Sequence, residues 1–536
     1  MTSQATPAVK RLMAEAIRGR LSRRQLIGRG LALGLSVPTL TTLVAMHPGR
    51  ALAAGGGTLK IAFAIDLQFL DPQLVQSDQD LLPSTLVFSR LVQWDSTMLE
   101  PKPDVAESWT ISDDNLTYAF TLRQGVKFHS GREVTADDVV FSYQRALDTG
   151  DKGRGKAELR DVESFTATGP LEFTVKLKQP SAVFLASNGH WALPILNKDT
   201  VADVATKPDG TGPFTFVEWV PGDHVTYTKN PDYWNSDALA NWPDEIVSQP
   251  IPEPLTRIAN LKAGQTDLVQ NVPAQLVADL EKDTKVQLIR QPFTASYWCL
   301  NFNLRQPPFD NVKVRQAVAR AIDKEAIHQN VFYGTGEVGC SLIPSTHWAF
   351  DPSIECAARD VEAAKALMQE AGVGELKVTF KFGGNDAGIE APLAEILKQN
   401  LAEIGIDLEL QQMEPGLWLQ EVWLDKNFEM TDAWYTREPD PDGLMQSVLR
   451  KDGGNNVMGY DNPEIETLFD QGKSTLDQEA RKPIYSQIIK TMLDDTPLIK
   501  LQTVEVIWAG NHKVSGMQVW PKGMPNYLDY TFDPNG

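Results

Sequence analysis

The residues best suited to chemistry lie in one run, Asp432-Ala433-Trp434-Tyr435-Thr436-Arg437-Glu438-Pro439-Asp440-Pro441-Asp442-Gly443. It holds two aromatics, one cation and a cluster of Pro, Asp and Gly. A guanidinium beside aromatic faces suits a pocket for a small anionic or planar ligand. The same spacing also fits an ordinary strand end with an exposed charged turn. Other chemistries lack their residues. The seven histidines are scattered, and acidic pairs such as Asp137/Asp138 and Asp494/Asp495 fit helix caps and solvated ends. No GxGxxG follows a strand, and GxxxxGK[ST], HExxH and GxSxG are missing from the chain. No nucleophile, base and orienting group can be assembled, so neither an enzyme nor a cofactor nor a metal site is expected. The chain is instead rich in tryptophan, 13 in all, including Trp298, Trp418, Trp423 and Trp434. Such residues pack cores and also line ligand clefts.

The elements around this run alternate between strand and helix periodicity. Leu59–Ala64 reads as a strand and Leu81–Trp94 as a helix. Leu116–Leu122 alternates as a half-buried strand. Thr135 then caps a helix whose first turn carries Asp137 and Asp138. Further strands are expected at Phe173–Leu177, Phe216–Trp219 and Tyr297–Asn303. Leu376–Phe382, Ala391–Ile404 and Ile406–Leu410 form a strand–helix–strand unit, which should be a right-handed parallel crossover. Leu498–Trp508 reads as one more strand. The pattern implies mixed α/β layers with closely joined lobes.

The N-terminus is of a different kind. Residues 1–53 carry eight Lys/Arg and a single acid, Glu15. Ser22-Arg23-Arg24-Gln25-Leu26-Ile27 precedes an uncharged apolar run from Gly30 to Met46, and Ala51-Leu52-Ala53 offers a cleavage site. This is the layout of a twin-arginine export signal cleaved after Ala53. Its loss would take the net charge from −20 to −27, a surface that repels nucleic acid and anionic lipid. No cysteine near Ala53 offers a lipid anchor. Among the three cysteines, Cys340 and Cys356 flank a Pro-containing loop and could pair, whereas Cys299 sits in an apolar run and is expected to be a buried thiol.

Several runs together resemble a known family. Ala106-Glu107-Ser108-Trp109, Leu116 through Gly131, and Thr135-Ala136-Asp137-Asp138-Val139-Val140-Phe141-Ser142 are similar to the bacterial extracellular solute-binding proteins, family 5. Gly210-Thr211-Gly212-Pro213-Phe214, Asn230-Pro231-Asp232-Tyr233-Trp234 and Phe309 through Ala317 continue the likeness in order over nearly the whole mature chain. The resemblance implies an α/β, two-lobed periplasmic-binding-protein fold of type II, with an extra subdomain in lobe I and the ligand cleft between lobes. Lobe I would span 54–295, with the subdomain inserted at about 90–209. Lobe II would span 296–504, and 505–536 would return to lobe I. The hinge would lie near 291–303 and 498–507. The implied role is a periplasmic receptor, expected to be a monomer, that closes on a solute and delivers it to an inner-membrane ABC permease.

The family often places an acid three residues after a tryptophan, where its peptide binders salt-bridge the peptide's α-amino group. In this sequence that position is Arg437. Arginine repels an ammonium group and grips a carboxylate. The expectation is therefore a carboxylate-bearing solute such as an opine, a sugar-acid conjugate, a modified peptide or a metal chelate. Arg437, Trp434, Tyr435, Tyr297, Trp298 and Asp440 are the expected ligand-binding residues. Arg437 could instead turn outward or pair with Glu438 or Asp440. The competing functions are a generic oligopeptide or dipeptide receptor, an exported hydrolase acting on similar solutes, and a chaperone or sensor using the same cleft.

Overall fold

The computed structural model describes residues 56–535 except 76–79, 154, 292–293, 385–386 and 528. The export signal expected at 1–53 lies outside the described residues. Among them no helix is long and apolar enough to cross a membrane.

Two large sheets organise the molecule. The first has seven strands in the order Gln287–Ile289, Trp508–Gly510, Leu268–Val269, Thr58–Phe63, Glu245–Pro250, His224–Lys229 and Phe214–Val220. Its central strand, Thr58–Phe63, runs parallel to both neighbours. Leu59, Ile61 and Phe63 of that strand bury one face against Leu82, Leu86, Phe214, Tyr227 and Trp508. The second sheet has six strands in the order Glu337–Val338, Leu498–Thr503, Ser296–Phe302, Met430–Thr436, Leu376–Phe382 and Ile406–Gln412. Every residue of Ser296–Phe302 is buried, so both faces of this sheet are covered. Trp298, Leu300 and Phe302 face one apolar cluster, Tyr297 and Cys299 another. The expected parallel pairing of Leu376–Phe382 with Ile406–Gln412 is present.

A third sheet is antiparallel, in the order Ala106–Ile111, Thr117–Leu122, Glu172–Leu177 and Val162–Gly169. The helix Ala136–Asp148 packs on it through Val139, Tyr143 and Ala146. Thr135 starts that helix with a capping box closed by Asp138, which Arg132 also holds at 2.6 Å. Cys340 and Cys356 form a disulfide, and Cys299 is a buried free thiol.

Two expectations are corrected. The segment read as one helix over 81–94 is the helix Leu81–Val87 followed by the strand Val92–Trp94. The Gly210-Thr211-Gly212 turn docks on the helix end, where Gly212 donates its N–H to the Val87 carbonyl at 2.8 Å. A Cβ at Gly210 would meet that carbonyl oxygen at 2.0 Å, so the approach requires glycine. The segment read as one strand over 498–508 is two strands in two different sheets. Ile289 ends a strand of the first sheet and Ser296 begins one of the second; Thr503 ends a strand of the second and Trp508 begins one of the first. The crossings are tied side by side: Thr294 Oγ1 donates to the Val504 carbonyl at 2.7 Å, and Val504 N–H donates to the Ser296 carbonyl at 2.9 Å.

Candidate ligand cavity between the lobes

A cavity of about 560 Å³ lies where the second sheet's helices face the inserted subdomain and the C-terminal segment. Its wall includes the loop that follows Met430–Thr436, a strand with neighbours on both sides. This strand gives way at Arg437 to a short loop and then to the helix Pro441–Leu449. Sequence reading missed that helix, although its signal was present. Asp440 is the N-cap, accepting the Asp442 N–H at 2.9 Å, and Pro441 occupies the first turn.

Each charged side chain of the loop has a distinct situation. Asp440 accepts two hydrogen bonds from Arg481, at 2.8 and 2.7 Å, with both side chains largely buried. Arg481 comes from the helix Gln478–Asp495 and also donates to the Tyr485 hydroxyl at 2.9 Å. Asp440 therefore touches the cavity, but its oxygens fix the start of the helix. Glu438 pairs with Lys522 and lies 3.5 Å from His190 Nε2. Burial would raise the Glu438 carboxyl, but Lys522 and His190 outweigh it and hold the group well below the usual carboxylate range.

Arg437 is held by its backbone, whose N–H donates to the Ala295 carbonyl at 2.9 Å, beside the lobe crossing. Its guanidinium carbon lies 4.5 Å from the Tyr435 ring centre, a cation–π contact. Nη1 donates to the Thr436 carbonyl at 3.2 Å, and the buried Nε has no partner. Neither Glu438 nor Asp440 pairs with it, because Lys522 and Arg481 have taken them. Arg437 thus stands on the cavity wall with no carboxylate partner among the described residues.

The four expected aromatics are not on that wall. The register of Ser296–Phe302 against Met430–Thr436 sets Tyr297 opposite Tyr435 and Trp298 opposite Trp434. Alternation along the strands sends the two pairs to opposite faces of the sheet. Trp298 is fully buried, stacks on Trp434 at 6.1 Å and donates to Asp432 at 2.8 Å. Trp434 remains partly exposed, on the face away from Tyr435. The tyrosines lie buried behind Arg437: Tyr297 donates to the Leu444 carbonyl at 2.7 Å, and Tyr435 accepts from Asn301 Nδ2 at 3.0 Å. Trp94 is an aromatic that does line the cavity, and sequence reading had placed it at the end of a helix.

The two sides of the cavity touch each other. Arg160 donates to Gln446 at 2.7 Å, Lys473 pairs with Asp161 at 2.6 Å, and Ala182 N–H reaches the Lys473 carbonyl at 2.9 Å. Among the described residues no group of three or more His, Cys, Asp or Glu could hold a metal ion.

A sequence profile described as "Bacterial extracellular solute-binding proteins, family 5 Middle" matches residues 100–456. The chain belongs to this family. It shares 30% identity with "Di/tripeptide-binding protein 1" of Pseudomonas aeruginosa (strain UCBPP-PA14), over 90% of this chain and 97% of that protein. Among solved structures it resembles the periplasmic binding protein DppA of Helicobacter pylori in complex with the peptide STSA. That match has a TM-score of 0.77 and 26% identity, covering 90% of this chain and 99% of the other. It also resembles AgaA of A. tumefaciens R10 in complex with agropinic acid, with a TM-score of 0.72 and 27% identity over 86% and 95% of the two chains. The architecture is thus that of the family's periplasmic binding proteins, and the protein is a solute-binding receptor of the kind that serves ABC importers.

Proposed function

We propose that this protein is the periplasmic receptor of an ABC importer for a short peptide or peptide-like solute, and that Arg437 grips a carboxylate of that solute. The observation that carries the reading is a guanidinium on the cavity wall that has no carboxylate partner among the described residues, followed in sequence by acids that other cations already hold. A half-buried guanidinium whose neighbouring acids are already paired can take a carboxylate from a ligand. The ligands of the relatives, di- and tripeptides in one case and agropinic acid in another, are of fitting size and chemistry. A cavity of about 560 Å³ accommodates such a molecule.

In this reading the twin-arginine segment exports the chain, cleavage follows Ala53, and a monomer delivers its cargo to the inner-membrane permease. Closure buries the solute while the two stretches that connect the sheets, near 291–303 and 498–507, serve as the hinge.

A thermal-shift panel on residues 54–536 tests the proposal. It would compare opines, sugar acids and short peptides with the corresponding C-terminal amides. A ligand at a hundredfold its dissociation constant adds about 2.7 kcal/mol of stability, a readable shift. Stabilisation by the carboxylate forms and not by the amides is expected. Equal response to both forms would show that Arg437 does not select the carboxylate.

A further inference from the structure

Cys340 and Cys356 have no role in the reading above, yet the segment they close packs behind the Arg437 wall. Residues 339–360 form neither helix nor strand, a long irregular stretch for a compact domain. The disulfide joins two residues 16 apart across it. Leu342, Ile343 and Ala349 of the segment share one apolar cluster with Tyr297, Tyr435 and Leu444. The Trp348 ring centre lies 5.6 Å from the Arg481 guanidinium carbon, and Arg481 holds Asp440 at the start of the helix Pro441–Leu449. The buried His347 ring lies against the Pro439 carbonyl. Asp351 sits 3.8 Å from Lys490, on the helix that carries Arg481. The two cysteines differ in their surroundings. Cys356 is exposed, as are Glu355 and Ala357 beside it, whereas Cys340 is buried. Lys324 and the buried Lys500 donate to the carbonyls of Gly339 and Ser341, on either side of Cys340, at 3.4 and 2.8 Å.

We propose that the Cys340–Cys356 disulfide is a thiol–disulfide exchange site through which a dithiol controls the order of the cavity wall at 437–449. The proposal rests on the reading of that wall as the solute site. A disulfide is open to exchange where one sulfur is accessible and the other leaves readily. Cations beside a cysteine favour its thiolate, which makes Cys340 the leaving group. A thiolate of the dithiol attacks the Cys356 sulfur, the bond to Cys340 breaks, and Cys340 leaves as a thiolate that takes up a proton. The second thiolate of the dithiol then attacks the first sulfur of the dithiol in the mixed disulfide and releases Cys356, which is protonated in turn. The protein gains two thiols and the dithiol becomes a disulfide. Without its tether the segment 341–355 regains chain entropy. Trp348 and His347 then no longer brace Arg481 and Pro439. Cys299 takes no part, because burial pushes its thiol up to about 12.

The test is hydrogen exchange, read by mass spectrometry on solute-free residues 54–536 before and after treatment with dithiothreitol, with alkylation to count the thiols. Two new thiols should appear while the protein stays folded. Amide exchange over 438–449 should then rise by at least about tenfold, together with that of 339–360, while Thr58–Phe63 in the other sheet keeps its protection. A disulfide that resists dithiothreitol until the whole protein unfolds would overturn the exchange site. New thiols without faster exchange at 438–449, or with equally faster exchange at Thr58–Phe63, would overturn the control of the cavity wall. The double variant Cys340→Ser with Cys356→Ser should exchange like the reduced wild type and ignore dithiothreitol; exchange like the oxidised wild type would again overturn that control. The wild-type comparison needs no variant, so a folding defect in the double variant cannot obscure the answer. No solute enters this measurement, so its failure leaves the carboxylate–amide comparison untouched, and failure of that comparison is read separately on the oxidised protein.

Discussion

At the scale of single residues, the site is defined by which charges are satisfied internally and which are not. Glu438 and Asp440 flank Arg437 in sequence, yet each is held by a cation from another part of the chain. Internal pairing thus leaves Arg437 as the charged side chain of this loop that has no partner of opposite charge among the described residues. The burial of Asp442, in the first turn of the helix that follows, has a thermodynamic signature. Its carboxyl is raised to about 6 by burial and by Asp440, while Lys473, Arg160 and Arg450 pull it down. An unfolded aspartate titrates near 3.9. The folded protein therefore holds this proton more tightly than the unfolded chain. Stability is lost as pH rises from about 4 through about 6. Ligand-free D442N should melt above the wild type at about pH 7.5, and the gap should close by about pH 4. A lower melting temperature for D442N at about pH 7.5 would mean that the helix start needs the charge for its own stability.

At the scale of elements, the helix Pro441–Leu449 sets the geometry of the cavity floor, and Asp440 anchors it. Asp440→Ala removes the N-cap and leaves the largely buried Arg481 without its acid. Breaking a buried pair from one side costs about 3–5 kcal/mol, so D440A should lower the denaturant midpoint strongly. Arg481→Met with D440A should recover part of that loss, since it removes the stranded charge. Sequence periodicity captured this level unevenly. The Thr135-capped helix and the Leu376–Gln412 crossover were legible because local pattern and tertiary role agree there. The helix at 441 was missed because Pro-Asp-Pro-Asp-Gly was read as loop chemistry, although Asp followed by Pro is equally a helix start. The position of the aromatics relative to the cavity was hidden for a different reason. Trp434-Tyr435 shows only that neighbours point to opposite faces, and it took the register with Ser296–Phe302 to show Tyr435 set against Tyr297 and Trp434 stacked on Trp298. Arg437 was singled out in the sequence by its contrast with the acids around it, whereas the pairing of Glu438 depends on Lys522, 84 residues away in sequence.

At the scale of the whole molecule, the proposed closure would draw on the polar contacts across the cavity and on the two crossings between the sheets. The Lys473–Asp161 pair is buried only while the two sides touch, with the side chains 8% and 17% exposed. In Asp161→Asn, Lys473 would enter the closed form without its acid, which favours the open form. Small-angle scattering of ligand-free D161N should give a larger radius of gyration than the wild type. Ligand affinity should fall by about tenfold, in proportion to the population moved. Unchanged scattering would mean that this pair does not govern closure. The separation of Leu498–Thr503 from Trp508–Gly510 also belongs to this scale. Both pieces are apolar and extended, so nothing local marks the change of sheet at 504–507.

The most direct test of the account is the affinity of Arg437→Ala for whichever carboxylate solute stabilises the wild type, measured by calorimetry beside that solute's amide. Loss of a charge-assisted, two-point grip should weaken carboxylate binding by about 10- to 100-fold while leaving the amide's weak binding unaltered. An R437A protein that binds the carboxylate as tightly as the wild type does would contradict the account.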